Sequence, residues 1–510
     1  MENIVILDCG SQFTQLIARR IRELKVHSEI MPWDSTLEEI EARSPMGVVI
    51  SGGPRSVLEE GAPWIDSAIL NMSVPVMGLC YGMQYICKAM GGRVRSSTSR
   101  EYGRAHVTIV DEKATVYDGV PSRTQVWMSH GDDVEAIPDN MVLTAKTDDG
   151  VVAGFRSSDE RLVAFQYHPE VAHTEHGTIM LSNFLFKVCG CSGDWDLGDW
   201  VESSVASIRS KVGEDRVICG LSGGVDSSVA AALVSKAIGD RLKCIFVDTG
   251  MLRDKEAVEV LESYEAMDLN VVHVDASERF LTALEGVTDP ERKRKIIGEL
   301  FVRVFEAESA KISDAKWLLQ GTLYPDVIES GHQGKNAAVI KSHHNVGGLP
   351  EDMDLKVLEP LRDLFKDEVR AIGRILEVPQ DIVNRHPFPG PGLAVRCLGD
   401  ITKEKLDVLR KADRIYIDEI KRAGLYDSIW QAFAVLLPVY TVGVMGDDRT
   451  YARVLALRAI TSSDGMTAEW FRFPMEVLDR VSTRICNEVS GVNRVVYDVT
   501  SKPPATIEWE

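Results

Sequence analysis

Two short motifs supply a thiol and an imidazole with the residue types that nucleophilic catalysis needs. In Gly78-Leu-Cys-Tyr-Gly-Met-Gln84, Cys80 follows the apolar run Val74–Leu79 and precedes a helical stretch. A thiol at a helix N-terminus faces the positive end of the helix dipole, which favours the thiolate. The second motif, His168-Pro-Glu170, offers an imidazole and a carboxylate that can orient it. The two motifs together predict a Cys80–His168–Glu170 relay for covalent catalysis.

A third motif is rich in glycine and serine and is suited to binding phosphate. It follows the strand-like run Arg216–Gly220 and opens a helix, so its backbone N–H groups and small hydroxyls can surround phosphate oxygens. It lacks the Gly-Lys-Ser/Thr ending of a Walker A loop. The predicted phosphate-binding residues are Ser222, Gly223, Gly224, Val225, Asp226, Ser227 and Ser228.

The elements that position these motifs form three blocks, which we expect to be domains at 1–192, 193–385 and 386–510. In the first two, short Val/Ile-rich runs alternate with helical periodicity, which predicts doubly wound parallel sheets and an α/β class. The Pro/Gly cluster His386–Gly392 separates a smaller α+β block. Within the second block, the segment Ser330–Gly348 has weak periodicity and is expected to be a mobile loop.

Composition excludes several functional classes. The chain has 510 residues and a net charge of −20, which disfavours general binding to a phosphate backbone, so no nucleic-acid partner is expected. No apolar run approaches the roughly 20 residues that span a bilayer, and no secretory signal precedes the first strand, so no membrane association is expected. Nine irregularly spaced cysteines indicate a reducing compartment, and we expect a cytoplasmic protein.

The thiol and imidazole motifs, with the early loop Ser51-Gly-Gly-Pro54, resemble those of class I glutamine amidotransferases. The resemblance implies that Cys80 attacks the amide of glutamine, forms a glutamyl thioester and releases ammonia. It also implies an oxyanion hole at Gly53 and Tyr81, and a glutamine contact at Gln84. His173 and His176 continue the run after His168, but their spacing does not fit a metal site.

The glycine-serine loop resembles the loop of N-type ATP pyrophosphatases, which bind ATP and release pyrophosphate while adenylating a substrate. The resemblance implies that ATP is a co-substrate, that Asp226 helps to hold Mg²⁺, and that the chain at Val247 borders the adenine. An ammonia-producing block joined to an adenylating block implies ATP-dependent amination of a carbon that carries oxygen.

Further segments, including Gly321–Ser330, Ile340–Pro350, His386–Gly392 and Lys502–Glu510, resemble those of glutamine-hydrolysing GMP synthases. The resemblance covers essentially the whole chain and implies conversion of XMP, ATP and glutamine to GMP, AMP, pyrophosphate and glutamate, in a homodimer. It implies XMP-binding roles for Arg294, Gln431, Arg494, Lys502, Ile507 and Glu508. It implies adenylation or lid roles for Asp326, Glu329 and Lys341.

Two other interpretations stay open at this point. A related synthetase would activate a different oxygen, on a tRNA base or a carboxylate, although the net charge of −20 argues against tRNA. A non-catalytic nucleotide-binding protein with relic sites is the second, although Cys80, His168, Glu170 and the whole phosphate loop are intact.

Overall fold

The computed structural model describes residues 2–312, 314–331, 355–445, 448–462 and 467–510. The chain divides into two compact units, Met1–Asp196 and Leu197–Glu510, and each is described by itself. The predicted boundaries of the three blocks, at 192/193 and 385/386, stay predictions.

The strands are β1 Asn3–Asp8, β2 His27–Pro32, β3 Gly47–Ile50, β4 Val76–Leu79, β5 Arg93–Ile109, β6 Arg123–Ala136, β7 Met141–Thr147, β8 Val152–Ser157, β9 Leu162–Phe165, β10 Arg216–Leu221, β11 Leu242–Asp248, β12 Val271–Asp275, β13 Ala315–Leu319, β14 Lys356–Leu358, β15 Gln431–Met445, β16 Asp448–Thr461, β17 Glu469–Trp470 and β18 Val492–Tyr497. The α-helices are α1 Thr14–Glu23, α2 Leu37–Glu41, α3 Tyr81–Ala89, α4 Gly177–Ser182, α5 Leu197–Val212, α6 Val225–Ile238, α7 Glu256–Ala266, α8 Ser277–Ala283, α9 Pro290–Ser309, α10 Tyr324–Gly331, α11 Lys366–Ile375, α12 Gln380–Val383, α13 Lys403–Arg422 and α14 Met475–Glu488.

The first unit is built on one nine-stranded sheet in the order β2-β1-β3-β4-β9-β8-β7-β5-β6. The first five strands of this order are parallel, and each of β1, β3, β4 and β9 is buried along its whole length. The remaining strands extend the sheet with antiparallel pairs. Because β4 and β9 are parallel neighbours, Cys80 and His168, which follow them, meet at one edge of the sheet.

The second unit begins with a five-stranded parallel sheet in the order β12-β11-β10-β13-β14. The strand order reverses at β10, which has β11 on one side and β13 on the other. The crevice beyond the carboxyl ends of two such strands is where doubly wound sheets bind ligands. The phosphate loop lies directly after β10, at this position.

The rest of the second unit is α+β. The long strand β16 pairs antiparallel with β15 and β17 and parallel with β18. A single apolar core runs from the parallel sheet into this region, joining Ile218 and Ile245 to Leu455 and Val481. Of the substrate-binding residues expected near the C-terminus, Ile507 packs against a separate small cluster formed by Phe433, Val435 and Ala456.

The α/β class and the smaller C-terminal α+β region are confirmed. The first sheet is mixed, since its antiparallel strands β5–β8 add to the parallel half that the sequence indicates. The sequence predicts that the helix after Cys80 begins at Met83. In the structure it begins at Tyr81, so that Cys80 lies immediately before the helix. Of the expected loop Ser330–Gly348, Ser330 and Gly331 belong to α10, and 332–348 lie outside the described residues.

Candidate active sites

Cys80 lies on a sharp turn between β4 and α3. Its backbone angles, φ 51° and ψ −101°, are uncommon for a residue with a side chain, and such conformations persist only where the surroundings enforce them. The surroundings are two glycines: a Cβ at Gly82 would overlap the Ile50 carbonyl oxygen, and one at Gly78 would lie 2.7 Å from the oxygen of Gly82. The close packing of α3 against β3 and β4 therefore holds the thiol at the end of the strand.

His168 and Glu170 complete a buried group around this thiol. The His168 Nδ1 and Glu170 Oε1 atoms are 2.7 Å apart, and both side chains are almost fully buried. Burial lowers the pKa of His168, but the Glu170 carboxylate and hydrogen bonds to Cys80 and Glu170 outweigh it and raise the pKa to about 10. The imidazole therefore carries its proton at neutral pH.

The neighbours of this group were not identified from the sequence. The edge of the Phe13 ring packs on the His168 ring with centroids 4.9 Å apart, and Arg20 Nε donates to the Glu170 carbonyl oxygen at 3.0 Å. The Cys80 sulfur lies 3.5 Å from the carbonyl oxygen of Ser129 on β6. Only the fold brings these residues to the site, because none of them adjoins either motif in sequence.

The three residues expected around the reacting amide lie close to Cys80. Gly53 approaches the Cys9 carbonyl so closely that a Cβ would lie 2.7 Å from it, and Tyr81 anchors its hydroxyl on the Pro63 carbonyl. Gln84 is buried, and its side-chain amide donates to the Asp132 carbonyl at 3.0 Å. This contact fixes Gln84 against β6.

The phosphate loop turns from β10 into α6 as the sequence predicts. Gly223 has φ +76°, a left-handed conformation that glycine adopts without strain, and Gly224 precedes the first helical residue, Val225. The Ser222 and Ser227 hydroxyls are 3.2 Å apart, and Ser228 donates to the Gly224 carbonyl at 2.7 Å. The N–H groups of the first turn of a helix have no acceptor within it, so they are available to an anion.

Asp226 and Val247 flank this loop in different ways. Asp226 Oδ2 lies 3.2 Å from the Lys366 ammonium at the start of α11, and Oδ1 is buried without a hydrogen-bond partner among the described residues. Val247 is buried in β11, opposite Val274 of β12. Sequence reasoning missed Lys366, which lies 140 residues from its partner.

The C-terminal segment is held by buried cations. Arg396 is fully buried, and its Nε and Nη2 atoms bind the two carboxylate oxygens of Glu508 at 3.1 and 2.8 Å. Its guanidinium lies 4.1 Å from the centroid of the Phe433 ring. The Gln431 side-chain amide donates to the same Glu508 carboxylate at 2.9 Å, so two of the predicted XMP residues are in direct contact.

Three further cations bind the segment. Lys293 is fully buried and lies 2.5 Å from a carboxylate oxygen of Glu510, and Arg294 donates to the Glu510 main-chain oxygen at 2.5 Å. Arg458 is also fully buried; its guanidinium binds the carbonyl oxygens of Thr500, Thr506 and Ile507 and the carboxylate of Asp498. Among these residues, the sequence indicated only Arg294 and Ile507.

The remaining predicted residues lie apart from this cluster or outside the description. Arg494 is exposed on β18, and Lys502 pairs with Ala468 beside a cavity of about 600 Å³. Asp326 accepts from the Leu323 N–H at 2.9 Å at the start of α10. Glu329 belongs to α10, its side chain is not described, and Lys341 lies outside the described residues.

Comparison with known proteins identifies the family. The model of glutamine amidotransferase class-I matches residues 5–188, that of NAD synthase matches 196–302, and that of GMP synthase C terminal domain matches 418–509. The chain is 54% identical over 507 residues to the GMP synthase [glutamine-hydrolyzing] of Aquifex aeolicus, and 99% of each chain is covered. It is 55% identical over 508 residues to that of Carboxydothermus hydrogenoformans, again with 99% of each covered.

The chain belongs to the family of glutamine-hydrolysing GMP synthases. The three matched regions contain the three groups of residues described above: the thiol site, the phosphate loop and the C-terminal segment. None of the helices in the described part of the chain is both long and apolar enough to span a membrane.

Proposed function

We propose that Cys80, His168 and Glu170 hydrolyse glutamine in the glutamine-dependent GMP synthesis that membership of this family assigns to the chain. The observation that carries the proposal is the buried 2.7 Å contact between His168 and Glu170 beside a thiol on a strained turn. The Cys80 thiolate attacks the amide carbon, and the C–N bond breaks as His168 gives its proton to the departing ammonia. Water, deprotonated by His168, then hydrolyses the thioester to glutamate.

The backbone N–H groups of Gly53 and Tyr81 would stabilise the tetrahedral oxyanion of this reaction. An alanine Cβ at the adjacent Gly52 would lie 3.1 Å from His168 Cε1 and 3.6 Å from Cys80 Cβ, so this loop lies against the reacting pair. Two preorganised N–H donors in a buried site are the arrangement that such an oxyanion needs. Gln84, held on β6, would shape the pocket for the glutamine side chain.

The phosphate loop Ser222–Ser228 would bind ATP, with the chain at Val247 beside the adenine. Its position at the reversal of strand order supports this assignment. The unpartnered Asp226 Oδ1 fits Mg²⁺, which usually binds one or two carboxylates together with substrate phosphates. Bound there, Mg²⁺ would neutralise charge on the phosphates.

XMP would be the acceptor, bound by the residues that gather at the C-terminal segment, Arg294, Gln431, Ile507 and Glu508, with Arg494 and Lys502 at its border. The C2 oxygen of XMP attacks the α-phosphorus of ATP and pyrophosphate leaves. Ammonia then attacks C2 and AMP departs with that oxygen. We assign Asp326, Glu329 and Lys341 to adenylation or to a lid over it.

We propose a homodimer formed through the β15–β16 hairpin. Apolar side chains on this hairpin are between 49% and 73% exposed: Val439, Tyr440, Val442, Val444 and Tyr451. Five exposed apolar side chains grouped on one hairpin are typical of an interaction surface. Replacement of Val444 by Lys should convert the dimer to a monomer in analytical ultracentrifugation, and an unchanged sedimentation coefficient would contradict this interface.

A cytoplasmic location is proposed from the cysteines. All nine lie in the described ranges and carry free thiols, eight of them buried. Free thiols persist in reducing compartments.

The test of the synthetase assignment is product analysis with XMP and Mg-ATP, supplied with glutamine or with ammonium. We expect GMP, AMP and pyrophosphate in equal amounts from either nitrogen source. Asp226→Asn should lower the ammonium-dependent rate by roughly 100-fold, since it removes the carboxylate that would hold Mg²⁺ at the phosphates. Asp314→Asn, at an exposed ion pair with Arg216, is the matched control and should match the wild type. Wild-type protein that forms no GMP from either source would overturn the choice of XMP.

A further inference from the structure

The two peptide units that flank Gly223 in the phosphate loop are held by side chains from outside the loop. The Gly223 N–H donates to the Tyr264 hydroxyl at 3.1 Å, and the Gly223 carbonyl oxygen accepts from Arg385 Nη1 at 3.0 Å. Gly223 has φ +76° and no side chain to restrict it, so without these contacts its flanking peptides could rotate. The two contacts fix both polar groups of the residue.

Helix α7 carries two of the residues that hold Gly223 in place: Tyr264, which binds it directly, and Glu256, which binds Arg385. Tyr264 is fully buried on α7, and Glu256, at the start of the same helix, lies 3.2 Å from Arg385 Nη1 with its carboxylate also buried. Arg385 follows α12 and is therefore distant in sequence from the loop, yet Glu256 fixes its guanidinium beside Gly223. The clamp consists of Tyr264, Arg385 and Glu256.

The hydrogen bonds at Tyr264 have a defined direction. Burial raises the pKa of Tyr264 to about 12, so the phenol keeps its proton. Ser228 donates to the Gly224 carbonyl at 2.7 Å, which leaves the Ser228 oxygen, 3.1 Å from the Tyr264 hydroxyl, to accept the phenolic proton. Tyr264 thus accepts from Gly223 and donates to Ser228, and it joins the two ends of the turn.

These contacts determine which backbone polar groups of the loop face a bound anion. A carbonyl oxygen turned towards a bound pyrophosphate would repel it, whereas the N–H groups of the first turn of α6 attract it. Arg385 holds the peptide that contains the Gly223 carbonyl, and Tyr264 holds the preceding peptide through the Gly223 N–H. The clamp therefore keeps the loop in the arrangement that receives an anion before the anion binds, which lowers the ordering cost of binding.

We propose that Tyr264 and Arg385 are positioning residues that preset the Ser222–Ser228 loop for the pyrophosphate of ATP. The proposal rests on the proposed function of that loop as the ATP site. Neither residue needs to touch ATP, since each acts through Gly223.

The test is Tyr264→Phe, which keeps the buried ring and removes only the hydroxyl. With ammonium as nitrogen source, we expect KM for ATP to rise about tenfold, since a hydrogen bond contributes about 1 kcal/mol and the Gly223 N–H is left without its acceptor. KM for XMP and kcat should stay within about twofold. Tyr117→Phe is the matched control: it removes a buried hydroxyl that lies 3.0 Å from Tyr167 Oη in the first unit, and it should leave KM for ATP unchanged.

Arg385→Lys and Arg385→Gln form a second test that does not depend on the Tyr264 variant folding. Lysine can donate to the Gly223 carbonyl while paired with Glu256, so KM for ATP should rise less with lysine than with glutamine. Equal KM for ATP in wild type and in folded Tyr264→Phe or Arg385→Gln would overturn the clamp. A parallel loss of kcat and of affinity for both substrates would reduce it to general stability and would also overturn it. Failure of the ATP assignment itself is recognised separately, because Asp226→Asn would then leave the ammonium-dependent rate unchanged.

Discussion

The thiol site and the phosphate loop both follow a buried parallel strand and open a helix, but they are built in opposite ways. In the proposed function, the chemistry of the thiol site is carried by three side chains, and the turn that holds Cys80 is packed backbone against backbone, with glycines at 78 and 82 that leave no space for a Cβ. At the phosphate loop the chemistry is carried by backbone N–H groups, and the supports are side chains of distant residues such as Tyr264 and Arg385.

The difference shows why the two sites react differently to substitution. A site made of side chains is lost when one of them is removed, and its glycines tolerate no replacement. A site made of backbone is altered through its remote supports, which change affinity more than chemistry.

The largest expected effect is that of Cys80→Ala. Removal of the nucleophile should lower glutamine-dependent GMP formation by about 10³-fold or more, because residues that act as one catalytic unit fail together. Ammonium-dependent GMP formation should be unchanged, since the second unit supplies its own adenylation chemistry. The measurement is the initial rate with each nitrogen source; an equal loss with ammonium would mean that the two sites are not separable.

Glu508→Gln tests the buried ion pair with Arg396 that holds the C-terminal segment in the second unit. The substitution leaves the fully buried Arg396 guanidinium without its counter-charge, and breaking such a pair costs about 3 kcal/mol. Denaturant titration should show this loss in the free energy of unfolding. Glu469→Gln is the matched control, since its pair with Arg472 is about 70% exposed on both sides and should change stability by less than about 1 kcal/mol. Equal effects of the two variants would contradict the burial argument.

Gly82→Ala tests the backbone packing at the thiol site. The new Cβ would overlap the Ile50 carbonyl oxygen, so α3 must move away from β3, at a cost of about 1–3 kcal/mol. Glutaminase activity should fall while the ammonium-dependent rate is kept. A Gly82→Ala variant with wild-type glutaminase activity would show that the position of Cys80 does not depend on this contact.

A pH dependence of stability is expected at His168. Its pKa is raised from 6.5 to about 10 in the folded chain, so the charged imidazole contributes stability that is fully present below pH 6.5 and is lost as the pH rises towards 10. Glu170→Gln removes the carboxylate that holds this proton. The stability difference between wild type and variant, measured by thermal denaturation, should therefore be largest near pH 6 and shrink by pH 10. A difference that is constant with pH would argue against a charged His168.

The Cys80–His168–Glu170 group could be predicted from the sequence because its determinants are local, whereas its neighbours Phe13, Arg20 and Ser129 could not, since only the fold brings them to the site. The strand before Cys80, the glycines around it and the His168-Pro-Glu170 run all lie in short contiguous segments. The phosphate loop was also recognisable, but its supports were not, since Tyr264 and Arg385 reach Gly223 from 41 and 162 residues away.

The fold was predictable to a similar degree. Buried parallel strands appear as continuous apolar runs. The sequence predicts one such strand over Gly47–Ile50, and β3 has these bounds. The antiparallel strands β5 and β6 escaped because half of each faces outward and their sequences are rich in polar residues. The buried cations Lys293, Arg396 and Arg458 could not be foreseen, since charged residues are usually exposed and only the folded tail supplies their partners.

The attachment of the C-terminal segment places a limit on its length. Arg458 binds the carbonyl oxygens of residues 500, 506 and 507, and Arg396 binds the carboxylate of residue 508. Because both cations are buried and fixed, the number of residues between these contacts is fixed as well. Because Arg458 contacts main-chain atoms, side chains between Ser501 and Thr506 other than Lys502 can be exchanged. Insertion or deletion of a single residue there would shift Glu508 away from Arg396, so variants of this segment should differ in composition while keeping the number of residues constant.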